Sequence, residues 1–534
     1  FFMLFFVFIQ LLVCKINKDK IKSLLIHVKF DDDTLQIYTP LKIGFIRFIT
    51  AASSLRTIWR ICMHAQPKKI TLDQIADVIS ENFKAKAEIT CYVGSNAATP
   101  TASLQTLTGA VKSRQLGLPF IKMVHLLLQG PVPYVEAGLQ DRIMAYSIFS
   151  GGDVRKAANE GRAYYLPCTL ANLDSLIGKG RKYEPDVVIL KVCRNEFTGE
   201  YSLGLSVEAL HTAIDHAQVV IAELDRHMPF TQGQSVVDAQ SIDYMIEDNI
   251  QPVYQFPAPD FNNLSAEEKR IGELIANNFI DDGITLQVGI GKIPDAVIGT
   301  IRDAHFKDIG IQTELYGDGL MLLEKEGVVT NRKKTANLGY STTSLIMGSS
   351  ELYDFVHMRA GVQMRPSSYT NSADTIRKNR PFISVNTAIG VDLFGNVWAD
   401  FIDPRRYHGG VGGQPDFIRA LNDRAFGTPI IAIKSVTNKG ESKITKMHPP
   451  GISLTASAFD GLVIITEYGI ADLRELTSGE KAMAIASIAH PSYRDDFLRS
   501  VYNDPLFTKP IGYTLDRNPA GVHLYNGTIG LDKE

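Results

Sequence analysis

A short sequence frame occurs twice in the chain, and this repeat limits the folds that the chain can adopt. Residues 89–94 read ITCYVG and residues 284–289 read ITLQVG, so both share the pattern I-T-x-x-V-G. Each copy leads through a loop to a proline, Pro100 in the first copy and Pro294 in the second. A β-branched run that ends at a glycine before such a loop predicts a strand, a tight turn and a helix. The repeat therefore predicts two similar units in one chain.

Two further pairs of segments follow in the same order. Residues 185–199 place a proline before the run VVI and a glycine turn, and residues 381–395 repeat this arrangement around ISV. A third pair, VVIAE at 219–223 and VIITE at 463–467, lies further apart, which we attribute to an insertion in the second half. Short strands that alternate with helical segments are typical of βαβ units. We therefore predict an α/β protein of two similar domains with largely parallel sheets, formed by internal duplication.

A proline-rich segment separates the two halves. The run QPVYQFPAP at 251–259 has no helical or strand period, and its prolines predict an extended linker. After it, Ser265 and Glu268 have the spacing of a capping box, so an amphipathic helix should begin there and stop before Gly283. We predict a first domain at 63–250, a linker at 251–263 and a second domain at 264–534.

The first 62 residues differ from the rest of the chain. Residues 1–13 are almost wholly apolar, but they are too short for a membrane span and no basic segment precedes them. Met63 then opens a sequence that resembles a conventional start. We interpret residues 1–62 as an extension of doubtful relevance to function, with a signal peptide as the alternative.

Composition argues against several classes of protein. The formal net charge of -3 leaves no basic excess for a nucleic acid partner. The five cysteines are scattered without a C-x-x-C pair, which fits neither a zinc site nor a disulfide framework. We therefore expect a cytoplasmic protein that holds no metal and does not bind nucleic acid. We also expect that it does not bind a membrane and that it is a homo-oligomer.

A glutamate between two glycine clusters is the strongest candidate for chemistry. Glu314 ends the alternating run IGIQTE at 309–314 and precedes the turn-like sequence YGDG. A carboxylate at a strand exit lies where open α/β sheets place their reacting groups. Upstream lies GIGKIPD at 289–295, and downstream lies GGVGGQ at 409–414. The alternative for Glu314 is a solvated surface glutamate.

The first glycine loop suits an anion better than a dinucleotide. Gly289 and Gly291 lack the third glycine of a dinucleotide fingerprint, because Pro294 stands in its place. A turn with bare N–H groups at a helix N-terminus can bind a phosphate or a developing oxyanion, whereas the alternative is a purely structural turn. The second cluster, at 409–414, would either let the backbone approach a ligand closely or form a flexible surface loop.

These motifs together resemble the acetyl-CoA hydrolase/transferase family, most closely its 4-hydroxybutyrate and butyryl-CoA:acetate CoA-transferases. The resemblance extends from Met63 to about Leu498 and is strongest in the second half. The matching segments are 289–297, Glu314 with Asp318 and Gly319, 352–355, 391–395, 410–417, TEYGIA at 466–471 and IAHP at 488–491. The fold implied is of the CoA-transferase type, with the catalytic glutamate and the CoA site in the second domain.

The resemblance implies that Glu314 is the covalent nucleophile. It also implies a coenzyme A site at Gln287, Val288, Gly289, Ile290, Gly291, Ile389, Gly413 and Lys439. The implied function is transfer of CoA between an acyl-CoA and a short-chain carboxylic acid, through an acyl-glutamyl anhydride and a glutamyl-CoA thioester. No cofactor beyond CoA or acyl-CoA as substrate is expected.

Two other functions remain open at this stage. An acyl-CoA hydrolase would use the same Glu314 and differ only in the group that captures the acyl-enzyme. A non-catalytic CoA-binding protein is less favoured, because both the glutamate and the glycine loop are present. The segment CRNEFTG at 193–199 departs from the family pattern in the half that shapes the acyl pocket, so the acyl group stays undetermined.

Overall fold

The structure is a computed structural model that describes residues 27–31, 34–38, 48–49, 66–506 and 522–524. The chain forms two compact units, Phe1–Ala65 and Gln66–Glu534. In the first unit, two antiparallel pairings join the strands His27–Asp31, Thr34–Tyr38 and Phe48–Ile49. Most of residues 1–62 lies outside the described residues, so the prediction that this extension has little bearing on function stays a prediction.

The second unit contains two large, mostly parallel sheets. The main path of the first sheet has the spatial order Lys68–Lys69, Tyr244–Ile246, Val219–Leu224, Val187–Arg194, Glu88–Val93, Phe120–His125, Ile143–Ser147 and Tyr164–Tyr165. Two short strands, Tyr201–Ser202 and Val236–Val237, extend it antiparallel from Val187–Arg194. All pairs along the main path are parallel, as predicted.

The second sheet is formed mainly by the second half of the chain. Its order is Gln232–Gly233, Val362–Met364, Ser341–Ile346, Gly310–Tyr316, Thr285–Val288, Phe382–Thr387, Gly427–Ala432, Val463–Thr466, Gly469–Asp472 and Val522–Leu524. The last two strands pair antiparallel and the others pair parallel. Smaller sheets join Gly390–Asp392, Val397–Trp398 and Ile444–Thr445, and Phe401–Asp403 with Arg406–Tyr407.

Helices connect the parallel strands. In the first half they are Ile75–Asn82, Thr101–Lys112, Gly152–Asn159, Leu173–Ile177 and Leu210–His216. In the second half they are Ala266–Phe279, Lys292–Asp303, Asp318–Lys325, Ser350–Val356, Ser367–Thr370, Ala373–Lys378, Gln414–Ala420, Ser478–Ser487 and Pro491–Asn503. Short 3-10 turns lie at Leu72–Gln74, Pro133–Val135, Leu170–Asn172, Ala239–Ser241 and Phe261–Asn263.

Several strands and helices form where the sequence patterns placed them. In Val187–Arg194 every residue but the last is buried, as expected for a parallel strand covered on both faces. The predicted capping box at Ser265 and Glu268 is present: the Glu268 N–H donates to Ser265 Oγ at 3.3 Å, and the Ser265 N–H donates to Glu268 Oε2 at 2.8 Å. Residues 251–260 form neither helix nor strand.

Equivalent hydrogen bonds in the two sheets support the duplication. The Gly94 N–H donates to the Ile189 carbonyl at 2.9 Å, and the Gly289 N–H donates to the Val385 carbonyl at 3.2 Å. Each bond joins the glycine at the end of an I-T-x-x-V-G strand to the strand that pairs with it. The first two predicted pairs of segments therefore occupy the same place in both sheets.

The third predicted pair is wrong. Val219–Leu224 lies directly beside Val187–Arg194, whereas Gly427–Ala432 separates Val463–Thr466 from Phe382–Thr387. By position, the counterpart of Val219–Leu224 is Gly427–Ala432. The error arose because all of these strands are buried apolar runs, and such runs do not reveal which neighbour they pair with.

A shared core joins the two sheets. One cluster of buried side chains includes Tyr92 and Leu190 from the first half and Val288 and Tyr316 from the second. Among the described residues, no helix has the length and apolar character needed to cross a membrane. Nor do the described ranges contain a group of His, Cys, Asp and Glu side chains arranged to hold a metal ion.

Candidate active site

Glu314 lies inside a central strand of the second sheet. The strand is Gly310–Tyr316, so it continues past the glutamate, and the predicted turn is instead the start of the helix Asp318–Lys325. The Glu314 carbonyl accepts a hydrogen bond from Thr343 Oγ1 at 3.1 Å. The position at the carboxyl end of the strand is nevertheless the one at which parallel sheets gather reacting groups.

Two donors hold the Glu314 carboxylate. Asn371 Nδ2 donates to Glu314 Oε2 at 3.1 Å, and the backbone N–H of Gly413 donates a second hydrogen bond to the carboxylate. Burial raises the pKa of Glu314 to about 7, and the charge of Asp416 adds to this rise, while both hydrogen bonds oppose it. The alternative of a solvated surface glutamate is therefore excluded.

The second glycine cluster brings its backbone against this carboxylate. A Cβ at Gly413 would lie 2.0 Å from Glu314 Oε2 and 1.9 Å from Asn371 Nδ2, so any side chain there would displace both groups. Gly412 has a φ of +57° and a Cβ there would lie 3.5 Å from Glu314 Oε1. Gly410 packs against the first half, because its Cβ would lie 2.5 Å from the Ile148 carbonyl oxygen. The cluster is therefore a packed loop rather than a flexible surface segment.

Asn371 is a site residue that the sequence did not reveal. It follows the short helix Ser367–Thr370 and is almost fully buried. Its Nδ2 also lies 3.4 Å from Asp416 Oδ2, so one amide group stands between two carboxylates. Gln312, on the Glu314 strand, holds this helix by donating from Nε2 to the Thr370 carbonyl at 2.8 Å. The surrounding sequence SSYTN carries no pattern that signals catalysis, so only the fold identifies this residue.

One N–H group of the first glycine loop is used in a hydrogen bond to the sheet. The Gly289 N–H is bonded to Val385, so the prediction that this amide serves as an oxyanion donor is wrong. Among the described residues, no acceptor is found for the N–H groups of Ile290 and Gly291. Gly291 has a φ of +113° and caps the helix Lys292–Asp303. These two N–H groups are therefore the ones available to an anion at the start of that helix.

A cavity of about 410 Å³ contains Glu314. It lies where the carboxyl ends of both sheets meet, because Asn96, Leu126 and Leu127 of the first half line it with the two glycine clusters. Gln287 and Asn386 form part of its wall and bond to each other reciprocally, with N···O distances of 3.3 and 3.1 Å. Such a pair holds both amides in fixed orientations.

The structure brings most of the predicted site residues together. Gln287, Val288, Gly289, Ile290, Glu314 and Gly413 all line this cavity. Gly291 lines an adjoining cavity of about 370 Å³, which shares Val288, Gly289 and Ile290 with the first. Ile389 and Lys439 lie outside both linings: Ile389 donates its N–H to the Trp398 carbonyl, and Lys439 is exposed in a turn.

The chemistry available here is that of a carboxylate nucleophile. Burial raises the pKa of Glu314 to about 7. Its carboxylate faces a cavity with apolar and amide walls, and the unbonded N–H groups of Ile290 and Gly291 belong to the adjoining glycine loop. Such N–H groups can stabilise the oxyanion that forms when a carboxylate attacks an activated carbonyl.

Comparison with known proteins shows which family the chain belongs to. Residues 68–257 match the acetyl-CoA hydrolase/transferase N-terminal domain, and residues 348–501 match the C-terminal domain of the same family. The chain is 37% identical over 388 residues to a 4-hydroxybutyrate coenzyme A transferase of Clostridium kluyveri, covering 72% of this chain and 88% of that protein. It is 32% identical to a succinyl-CoA:acetate/propanoyl-CoA:succinate CoA transferase of Fasciola hepatica, covering 77% and 84%.

A hydrolase and two solved structures are also similar. An acetyl-CoA hydrolase of Yarrowia lipolytica is 28% identical over 235 residues, covering 43% of this chain and 42% of that protein. RipA from Yersinia pestis has a TM-score of 0.72 at 27% identity, covering 82% of this chain and 97% of that chain. A 4-hydroxybutyrate CoA-transferase from Porphyromonas gingivalis has a TM-score of 0.67 at 28% identity, covering 83% and 99%. With both domain matches and this extent of similarity, the chain belongs to the acetyl-CoA hydrolase/transferase family of enzymes.

Proposed function

We propose that this enzyme transfers coenzyme A between an acyl-CoA and a short-chain carboxylic acid, with Glu314 as the covalent nucleophile. The observation that carries the proposal is the Glu314 carboxylate, held by Asn371 and Gly413 in a cavity between the two sheets. The relatives named as CoA transferases support the same reaction class.

The first half of the reaction moves CoA onto the enzyme. A Glu314 carboxylate oxygen attacks the thioester carbonyl carbon, and the tetrahedral intermediate expels CoA thiolate to leave an acyl-glutamyl anhydride. The thiolate then attacks the glutamyl carbonyl carbon and expels the original acid as a carboxylate. The result is a glutamyl-CoA thioester and a free carboxylate.

The second half repeats these steps in reverse with the acceptor acid. The acceptor carboxylate attacks the glutamyl carbonyl and expels CoA thiolate, forming a new anhydride. The thiolate then attacks the acceptor's carbonyl carbon, which releases the new acyl-CoA and restores the Glu314 carboxylate. No net proton transfer is needed, so a catalytic histidine is not required.

Each tetrahedral step places negative charge on an oxygen. The free N–H groups of Ile290 and Gly291 are the donors that we assign to this oxyanion, since the Gly289 N–H is already bonded. We assign CoA contacts to Gln287, Val288 and the loops that line the Glu314 cavity, with Ile389 and Lys439 as more distant contacts for the long CoA molecule.

Hydrolysis by the same glutamate is the second candidate, favoured by the relatives named acetyl-CoA hydrolase. In that reaction water captures the acyl-enzyme, and a carboxylate acceptor is unnecessary. The two functions share Glu314 and differ in how well the cavity excludes water.

A trapping experiment tests the proposal. The protein is incubated with butyryl-CoA without an acceptor, treated with borohydride and analysed by peptide mass spectrometry; reduction of the glutamyl-CoA thioester should convert Glu314 to the corresponding alcohol. Transfer is measured separately as new acyl-CoA formed with acetate. Glu314→Ala should abolish both signals, whereas Glu326→Ala, which removes an exposed glutamate, should retain them.

The outcomes separate the candidates. Comparable transfer by Glu314→Ala would contradict the covalent mechanism. Loss of butyryl-CoA by the unmodified protein with no new acyl-CoA at any acetate concentration would assign the enzyme as a hydrolase.

A further inference from the structure

The duplication identifies the residue of the first half that corresponds to Glu314. Thr90 pairs with Lys122 in the first sheet, and Thr285 pairs with Gly310 in the second. Since Thr90 and Thr285 occupy the same place in the repeated frame, Lys122 corresponds to Gly310. Counting forward equally along both strands, Leu126 corresponds to Glu314.

Leu126 is therefore an apolar side chain at the position of the nucleophile in the other half. It lines the Glu314 cavity together with Leu127, Phe149 and Leu170, which are also from the first half. The first sheet thus supplies an apolar wall that faces the reacting carboxylate of the second sheet. A leucine in place of a carboxylate at this position keeps the wall apolar.

This wall lies close to the reacting carboxylate. A Cβ at Gly412 would lie 3.8 Å from Phe149 Cε2 and 3.5 Å from Glu314 Oε1, so the aromatic ring and the carboxylate flank the same glycine. An acyl group whose carbonyl carbon is in reach of Glu314 will therefore have its chain in contact with apolar side chains.

The cavity lacks a cation for a second carboxylate. Within the described residues that line it, Glu314 and His408 are the only side chains that ionise near neutral pH, and none is Lys or Arg. Partial burial lowers the pKa of His408, and the charges of Arg155, Lys443 and Arg406, which are not among the lining residues, lower it further. The other polar side chains are uncharged amides and hydroxyls.

From this wall and this charge pattern we infer that the substrates are monocarboxylic acids and their CoA thioesters, with an uncharged acyl chain, and that dicarboxylic acyl groups are rejected. The inference rests on the proposed function and narrows its substrate class. A distal carboxylate would lose its hydration against the leucines and meet the like charge of Glu314, and no Lys or Arg is among the lining residues to compensate it. The loss of hydration would cost a terminal hydroxyl far less free energy, because the amides of Asn96, Gln287 and Asn386 can form hydrogen bonds with it.

Three thioesters with equal numbers of carbon atoms test the inference: butyryl-CoA, 4-hydroxybutyryl-CoA and succinyl-CoA. Each is offered as the donor with acetate, and kcat/KM is measured from the loss of donor and from new acetyl-CoA. We expect the two uncharged acyl groups to exceed succinyl by at least about a hundredfold, since like charges at a desolvated contact discriminate by that order.

A charge-restoring variant provides the second measurement. Leu127 is only partly buried, so Leu127→Lys can place an ammonium group at the wall, and Leu127→Gln is the matched polar control without charge. The ratio of succinyl to butyryl kcat/KM should rise at least about tenfold in Leu127→Lys and not in Leu127→Gln. Because this is a ratio within one protein, a partial loss of folded enzyme does not change it.

The possible failures can be told apart. Use of succinyl-CoA at a rate comparable to butyryl-CoA by the unmodified enzyme would overturn the inference and leave the transferase function intact. Loss of donor without transfer would refute the transferase function, while the donor preference would still support or overturn the inference. If none of the three thioesters is consumed, both fail.

Discussion

Asn371 Nδ2 lies 3.1 Å from Glu314 Oε2 and 3.4 Å from Asp416 Oδ2, so a single amide group is shared between two acidic side chains. Asp416 is itself held by the Ala171 N–H at 3.0 Å, and burial raises its pKa. Asn371 therefore orients Glu314 and partly offsets the repulsion between the two carboxyl groups.

Replacing Asn371 should weaken the nucleophile. Without its donor, the pKa of Glu314 should rise further, and Asn371→Ala should lower kcat/KM near neutral pH by about tenfold to a hundredfold. The midpoint of the pH profile of kcat/KM should also move to higher pH. Asn278→Ala, which removes an amide that bonds the Leu274 carbonyl within its own helix, is the control. An unchanged pH midpoint in a folded Asn371→Ala protein would show that the contact has no electrostatic role.

A methyl group at Gly413 should disrupt the same site sterically. The φ of Gly413 is -91°, so alanine meets no backbone strain there, and its Cβ would overlap Glu314 Oε2 and Asn371 Nδ2. Gly413→Ala should reduce turnover by at least about a hundredfold, because small displacements of a nucleophile have large effects on rate. Borohydride labelling of Glu314 measures the same loss directly. Gly109→Ala, where a Cβ meets open space on an exposed helix face, should keep full activity.

The ionisation of Glu314 predicts how activity depends on pH. Only the carboxylate attacks a thioester, and burial raises its pKa to about 7. In the free enzyme, kcat/KM should therefore fall about tenfold per pH unit as the pH drops below this value. A profile that stays flat down to about pH 5 would contradict the raised pKa.

The same shift predicts a gain of stability in one variant. Because the pKa in the folded protein is raised from its ordinary value of 4.5, burial favours the protonated form. The associated stability is fully present below the unfolded pKa and is lost as the pH rises through about 7. Glu314→Gln stays neutral, so its melting temperature should exceed that of the unmodified protein at about pH 8 by a few degrees, and the difference should vanish near pH 5. A variant that is less stable at both pH values would contradict this.

The sequence predicted the architecture because its signals were local. The frame that ends in Gly94 and Gly289, the capping box at Ser265 and the apolar strand runs each act within a few residues, and each appears in the structure. The order of strands in a sheet depends on contacts between distant parts of the chain. The third predicted pair of repeated segments was wrong for this reason.

The sequence alone identified those site residues whose type and local context are typical of chemistry or ligand binding. Glu314 stood out because a carboxylate at the end of a buried strand is unusual, and the glycines stood out because they permit close approach. Asn371 came from a different part of the chain, with no distinguishing pattern, and reaches Glu314 only through the fold. The hydrogen bond from the Gly289 N–H to the Val385 carbonyl depends on how the strands pair, which the local sequence does not predict.

The last prediction concerns the loop N–H groups that we assign to the oxyanion. A Cβ at Gly291 meets no atom within 4 Å, but the φ of +113° strains any other residue, so Gly291→Ala should cost both stability and turnover. Gly138→Ala is the matched control, since Gly138 also has a positive φ and open space around its Cβ. Both variants should lose comparable stability, as measured by thermal unfolding. Turnover should fall about a hundredfold or more in Gly291→Ala alone, because its backbone N–H is displaced from the oxyanion. Equal activity in the two folded variants would show that the loop is structural and that the oxyanion is stabilised elsewhere.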